Sequence, residues 1–163
     1  MIEVCVNLFV GSERDEASIR GQPGWFVVHA CKEPYHRQAL GYRSQGAPKH
    51  HPEYLIAKRT GRLILNLVDA PDVSYIPPEI IDAALAAIEQ NIISSKVLVH
   101  CNLGQSRSPG IAFLYLVRRS SLFAGQNHGD AMLQFRRLYP AFAPAKGMAD
   151  YIRLNWSKYA SRE

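Results

Sequence analysis

The sequence predicts a single α/β domain with a mainly parallel central sheet flanked by helices. Three observations predict it. Short, almost wholly apolar runs alternate with stretches whose apolar residues recur at helical spacing, as in sheets whose strands are buried on both faces and joined by helices. At 163 residues, 47% hydrophobic and 20% charged, the chain suits one compact domain and excludes global disorder. No apolar run approaches the 18 residues needed to span a bilayer, and no repeat or low-complexity tract is present.

The elements follow in order. Residues 4–10, closed by Gly11-Ser12, read as a first strand and turn, and residues 25–31 as a second, buried strand. Between Lys32 and Thr60 the pattern breaks at Pro34, Gly41, Gly46, Pro48 and Pro52, which predicts a long loop with a short helix near residues 52–58. Residues 63–68 form a third strand ending at Asp69-Ala70-Pro71-Asp72. Pro77-Pro78-Glu79 opens a helix, since proline fits the first turn and an acid suits the positive dipole end. Its apolar residues Ile81, Leu85, Ile88 and Ile92 make one helical stripe. Residues 97–100 are a fourth strand. A helix from Ser108-Pro109 follows, and its segment 111–117 is apolar almost all round, so it should be the buried one. Helices over residues 129–139 and 146–159 complete the chain, separated by Pro140 and Pro144.

The net charge of +5 is unevenly placed. Residues 32–62 hold seven basic and two acidic residues, and residues 101–163 hold nine and three. A solvated basic face explains such runs as well as an anionic ligand does, so charge alone does not choose. The N-terminus has no basic stretch ahead of an apolar segment, which speaks against a secretory signal. Cys5, Cys31 and Cys101 cannot pair off evenly and make no disulfide scaffold. A reducing, cytoplasmic setting is the expectation.

The chemistry is concentrated in Val99-His100-Cys101-Asn102-Leu103-Gly104-Gln105-Ser106-Arg107-Ser108-Pro109. A buried strand delivers Cys101 to its C-terminal end, where ligands bind in open parallel sheets. The loop 102–106 offers successive backbone N–H groups, the following helix adds its positive end, and Arg107 supplies a planar fork for two phosphate oxygens. Gly104 permits the tight curl. Such a positive field is what turns a cysteine thiol into the nucleophilic thiolate. Together these residues specify displacement at phosphorus through a cysteinyl-phosphate intermediate. Ser108 is placed to hydrogen-bond the sulfur, and His100 to orient the loop through backbone contacts. Cys5 and Cys31, without such context, read as core residues.

With these residues in place, the chain resembles the cysteine-based dual-specificity protein tyrosine phosphatases, whose signature is His-Cys-x5-Arg followed by Ser or Thr. Residues 7–12 look like that family's opening strand and glycine turn, residues 111–116 like its buried helix, and residues 131–137 with 144–148 like its closing helix–proline–glycine pattern. Residues 32–62 depart from it as a longer, more basic insert. The resemblance implies a phosphotyrosine-phosphatase-like fold and a general acid on the loop about thirty residues before the nucleophile. Asp69 lies 32 positions upstream and directly after its strand, so it is preferred; Asp72, 29 upstream, is the alternative and suits a helix cap better.

The resemblance also implies phosphorylated protein substrates, with phosphotyrosine and phosphoserine or phosphothreonine both admitted. Neutral Asn102, Leu103 and Gln105, and Ser106 before the arginine, lower the phosphoinositide and RNA 5′-end alternatives, although the basic insert is a candidate rim for polyanions. A phosphate-binding interaction module is the rival from another class. A sulfurtransferase is disfavoured by the complete Cys-x5-Arg-Ser set. Arg136 and Arg137 resemble the place of a secondary anion contact, and an adjacent helical pair cannot both face it. His36, His50 and His51 lack metal-ligand spacing; no metal or cofactor is expected, because the loop and Arg107 supply the electrostatics. Cys101, read as acidic and exposed, should be oxidisable, with Cys31 an open question as its thiol partner.

Overall fold

A computed structural model describes residues 1–161. Six strands, β1 (Ile2–Cys5), β2 (Leu8–Ser12), β3 (Trp25–His29), β4 (Ile56–Arg59), β5 (Arg62–Leu65) and β6 (Lys96–Cys101), form one sheet ordered β1-β2-β6-β3-β5-β4. The inner pairs β2–β6, β6–β3 and β3–β5 are parallel, and the edge pairs β1–β2 and β4–β5 antiparallel. Seven α-helices accompany it among the described residues: α1 (Glu13–Ile19), α2 (Arg37–Leu40), α3 (Pro78–Asn91), α4 (Arg107–Arg119), α5 (His128–Leu138), α6 (Lys146–Leu154) and α7 (Trp156–Ala160).

The central strands are where the apolar runs placed them. Val97, Leu98 and Val99 of β6 are wholly buried, as continuous apolar strands flanked on both sides should be. Helix α4 is buried from Arg107 through Val117 because it lies between β2 and β6 on one side and α3, α6 and α7 on the others. On α3, Ile81, Leu85 and Ile88 are buried as the stripe requires, and Ile92, just beyond the helix, is half-buried.

Four element expectations are corrected. Residues 4–10 are not one strand but a hairpin whose turn is Val6-Asn7; Asn7 adopts φ 64°, and its side chain donates to the Ile92 carbonyl. Asparagine tolerates the left-handed region, so the apolar run hid a turn without glycine. Helix α1, capped at Ser12 by reciprocal bonds with Asp15, follows Gly11-Ser12 where only a turn was expected. The short helix of the insert is at Arg37–Leu40, and Ile56–Arg59 is instead the edge strand β4. The final helix breaks at Asn155 into α6 and α7.

The insert's charge also has a different place. Because β5 runs parallel to β6, Arg62 opens β5 level with Leu98, and antiparallel β4 pairs Arg59 with it, while Lys58 lies one step further along, level with Val99. Arg59 is paired with Glu53, and Arg37 holds Glu33 with two nitrogens while donating to the Tyr42, Ser44 and Gln45 carbonyls. Lys32 donates to the Gln45 carbonyl. Much of the insert's charge thus fastens the insert itself rather than forming a cationic rim. No helix among the described residues is long and apolar enough to cross a membrane.

Candidate active site

Strand β6 carries Cys101 in register with Ser12 of β2, and α4 begins six residues later at Arg107. The loop between them curls back over its own strand end. At its turn Gly104 has φ 70°, and a Cβ there would approach the Gly11 main chain to 2.9 Å. Glycine is therefore required twice, for backbone angle and for space.

Cys101 is only 2% exposed, which corrects the expectation of an exposed thiol: the sulfur lies at the floor of the cradle. Its Sγ is 3.2 Å from Ser108 Oγ, which also donates to the Gly11 carbonyl at 3.1 Å. Since a carbonyl only accepts, the Ser108 hydrogen goes to Gly11 while Cys101 is a thiol. When the sulfur is ionised the same hydrogen can turn to it. Cys31 is fully buried, and burial pushes its thiol up to about 12, so it stays protonated at neutral pH. Cys5 is only half-buried, at the end of β1, and is no deep core residue.

Arg107 is buried and held at both terminal nitrogens. Nη1 donates to the Leu67 carbonyl at 3.2 Å and Nη2 to Asn102 Oδ1 at 2.9 Å. Its Nε is buried with no hydrogen-bond partner. An unpartnered guanidinium N–H within an anion-binding curl is what an oxyanion would satisfy. The Asn102 side chain thus faces Arg107, whereas the sequence suggested it only as a phosphate contact. Leu103 is 73% exposed beside the cradle.

The loop is braced from behind by residues the motif does not contain. Tyr139 Oη donates to the Gly104 carbonyl at 2.7 Å, Ala143 N–H to the Gln105 carbonyl at 2.8 Å, and Ala145 N–H to Ser106 Oγ at 3.0 Å. Ser106 is therefore fixed by its side chain to the segment leading into α6, not turned toward a ligand. The start of α6 also holds the loop that carries Asp69, for Gly147 N–H donates to the Ala70 carbonyl at 3.0 Å. Asp69, next to Ala70, is exposed and makes no hydrogen bond or ion pair among the described residues. Asp72 is committed elsewhere: hydrogen bonds from the Ser74 hydroxyl and, at 2.8 Å, the Ser74 N–H hold its carboxyl below the usual carboxylate range. Arg136 donates to the Phe142 carbonyl, and Arg137 lines a shallow surface cavity with Asp130 and Leu133.

His100 is fully buried, its Nε2 2.7 Å from Nδ1 of His29, a residue the sequence reading did not select. A histidine ending an apolar strand was the available signal. Tyr139, Gly147 and the anchoring role of Asn102 carried no local signal. His36 is buried against Tyr42 Oη and the Glu53 carbonyl, and no cluster of three metal-ligating side chains occurs among the described residues.

No protein-family model and no curated protein sequence matches the chain. Solved structures do. Human DUSP28 is 21% identical, with 98% of this chain and 91% of that one aligned at a TM-score of 0.60. The human tyrosine phosphatase-like serine/threonine/tyrosine-interacting protein is 17% identical, over 98% and 97%, at 0.64. The Cydia pomonella PTP-2 phosphatase is 16% identical, over 94% and 88%, at 0.63. A central, mostly parallel sheet flanked by helices is common ground at this level of similarity. The chain has the fold of the dual-specificity phosphatases.

Proposed function

We propose that the chain is a dual-specificity-type phosphatase that hydrolyses phosphate monoesters on proteins through a cysteinyl-phosphate intermediate. The observation that carries this reading is the pairing of Cys101 and Arg107 across one loop. The sulfur touches Ser108 at 3.2 Å, and an unpartnered, buried Nε–H of Arg107 is the complementary donor.

The chemistry divides among named atoms. The Cys101 sulfur attacks phosphorus while the loop N–H groups of residues 102–106 and the Arg107 guanidinium take the charge of the three equatorial oxygens. Asp69 gives its proton to the departing oxygen and then removes one from the attacking water. Ser108 turns its hydroxyl hydrogen to the sulfur in the second step, making the thiolate the better leaving group. Asp69 suits the acid role because its carboxylate is uncommitted, whereas the Ser74 bond favours the ionised form of Asp72. His100 orients the loop. Arg136 and Arg137 are not given a substrate role: one braces residue 142 and the other faces the outer surface of α5.

Protein substrates are favoured over RNA ends or phosphoinositides by the neutral loop side chains and by the position of Arg59 and Arg62 at the start of β5, two strands away from β6. The test is turnover of p-nitrophenyl phosphate by reduced protein, abolished in Cys101→Ser, followed by a panel of phosphopeptides, phosphoinositides and 5′-phosphorylated RNA. Absence of turnover in the wild type would leave a phosphate-binding module. Preference for RNA or lipid would overturn the substrate class and keep the mechanism.

A further inference from the structure

The buried pair of imidazoles behind the nucleophile is not used by that mechanism. His29 and His100 face each other in register across β3 and β6, 1% and 0% exposed. The His29 ring is stacked on Tyr35 at 4.3 Å, and Tyr35 Oη donates to Glu16 at 3.2 Å, so the outer ring is held in place. At 2.7 Å the two ring nitrogens share one hydrogen. Burial first, and for His29 then the neighbouring imidazole, keep both rings neutral, at about 2 for His29 and about 4 for His100. Around them Glu16 and Glu13 pull His100 the other way, while Arg107 acts on His100, and Arg20 and Arg62 on His29, to favour the neutral form.

Two tautomeric arrangements satisfy one shared hydrogen, and chemistry selects between them. With Nε2 engaged by His29, Nδ1 is the ring nitrogen left to meet the Cys101 main-chain acceptor that acts on His100. No well-formed bond closes there, and Nδ1 is buried without another partner. A carbonyl only accepts, so that nitrogen must carry the hydrogen, or two lone pairs would oppose each other in a buried site. Nε2 is then the acceptor and His29 the donor.

We infer that His29 is a positioning residue for the nucleophile: its Nδ1–H fixes His100 in the Nδ1–H tautomer, which offers that hydrogen to the Cys101 carbonyl. This rests on the proposed phosphatase reading, and its test has a part that does not. In the full chain with 15N-labelled histidines, His100 should show the Nδ1–H tautomer in the wild type and in His29→Asn, whose amide nitrogen overlies Nδ1. A mixture is expected in His29→Leu, which has no donor. With p-nitrophenyl phosphate, His29→Leu should lose about tenfold or more in kcat/KM, the scale of one lost buried hydrogen bond to a positioning group, while His29→Asn stays within about threefold. An Nε2–H tautomer in wild-type His100, or equal losses in the two variants, would overturn the inference. If the leucine variant fails to fold, the wild-type and asparagine spectra still decide. A wild type without turnover refutes the phosphatase reading alone.

Discussion

Replacing Asn102 with alanine should lower kcat/KM about tenfold without unfolding the protein. Arg107 reaches the cradle from a buried position, and two acceptors fix its plane: the Leu67 carbonyl at 3.2 Å and Asn102 Oδ1 at 2.9 Å. The Asn102 amide cannot be turned round, because its Nδ2 donates to the Glu33 carbonyl at 2.9 Å and to a Glu13 carboxylate oxygen at 3.2 Å. Both of those partners only accept, so Oδ1 must face the guanidinium. Alanine removes one of the two anchors and leaves the guanidinium free to pivot about the other. A hydrogen bond with one charged partner is worth about 1.5–3 kcal/mol, and the half-exposed setting of Asn102 selects the lower end. About 1.4 kcal/mol is a factor of ten in rate.

The assay is steady-state hydrolysis of p-nitrophenyl phosphate with inhibition by inorganic phosphate, in single and double variants. Asn102→Ala should weaken phosphate inhibition together with kcat/KM. Arg107→Lys removes the planar fork, so adding Asn102→Ala to it should cost less than about twofold, giving a coupling of about 1 kcal/mol. The same tenfold loss in both backgrounds would show that Asn102 does not act through Arg107. A single variant within twofold of wild type would refute the anchoring argument outright.

Two further predictions use other parts of the site. Both buried imidazoles have pKa values depressed below the unfolded value of 6.5, to about 4 for His100 and about 2 for His29. The unfolded chain therefore binds protons that the folded chain refuses, and stability is full above about pH 6.5 and falls as pH drops toward 4, by about 1.4 kcal/mol per unit for each ring. Urea unfolding at pH 7.5 and 5.5 should show this loss, reduced by about half in His29→Asn; a flat profile in the wild type would contradict it. A Cβ on Gly147 would collide with the Ala70 carbonyl oxygen, so Gly147→Ala should displace the acid loop. Its kcat should fall more with phenyl phosphate, whose leaving group needs a proton, than with p-nitrophenyl phosphate. Equal losses would remove Asp69 from the acid role.

The parallel core was legible because each strand is short, apolar and bounded by turn residues, and because α4 is apolar on every face that packing later covers. The hairpin at Asn7 was not, since its turn lies within a run of apolar residues and uses asparagine where glycine would have marked it. Strand β4 was not, because Ile56-Ala57-Lys58-Arg59 is two apolar residues followed by two basic ones, with no alternation to mark an edge strand. The cysteine loop was the most legible part, for its chemistry needs residues at fixed separations along one continuous segment.

What that segment does not contain is the means of holding its own shape. Gly104 can curl only because, without a Cβ, it packs against the main chain of Gly11, 93 positions earlier. Arg107 is aimed by the carbonyl of Leu67, and the loop carbonyls of Gly104 and Gln105 are tied to Tyr139 and Ala143. Ser106 joins the loop to Ala145, and two residues on Gly147 grips the loop of Asp69, so one short segment at the start of α6 spans both halves of the proposed mechanism. Each of these contacts links residues far apart in the chain, and most pass through backbone atoms that a residue supplies whatever its side chain. A catalytic signature can therefore be intact in sequence while its geometry depends on packing elsewhere. By this reasoning substitutions at Tyr139 or Gly147 should impair turnover, although neither lies within the motif.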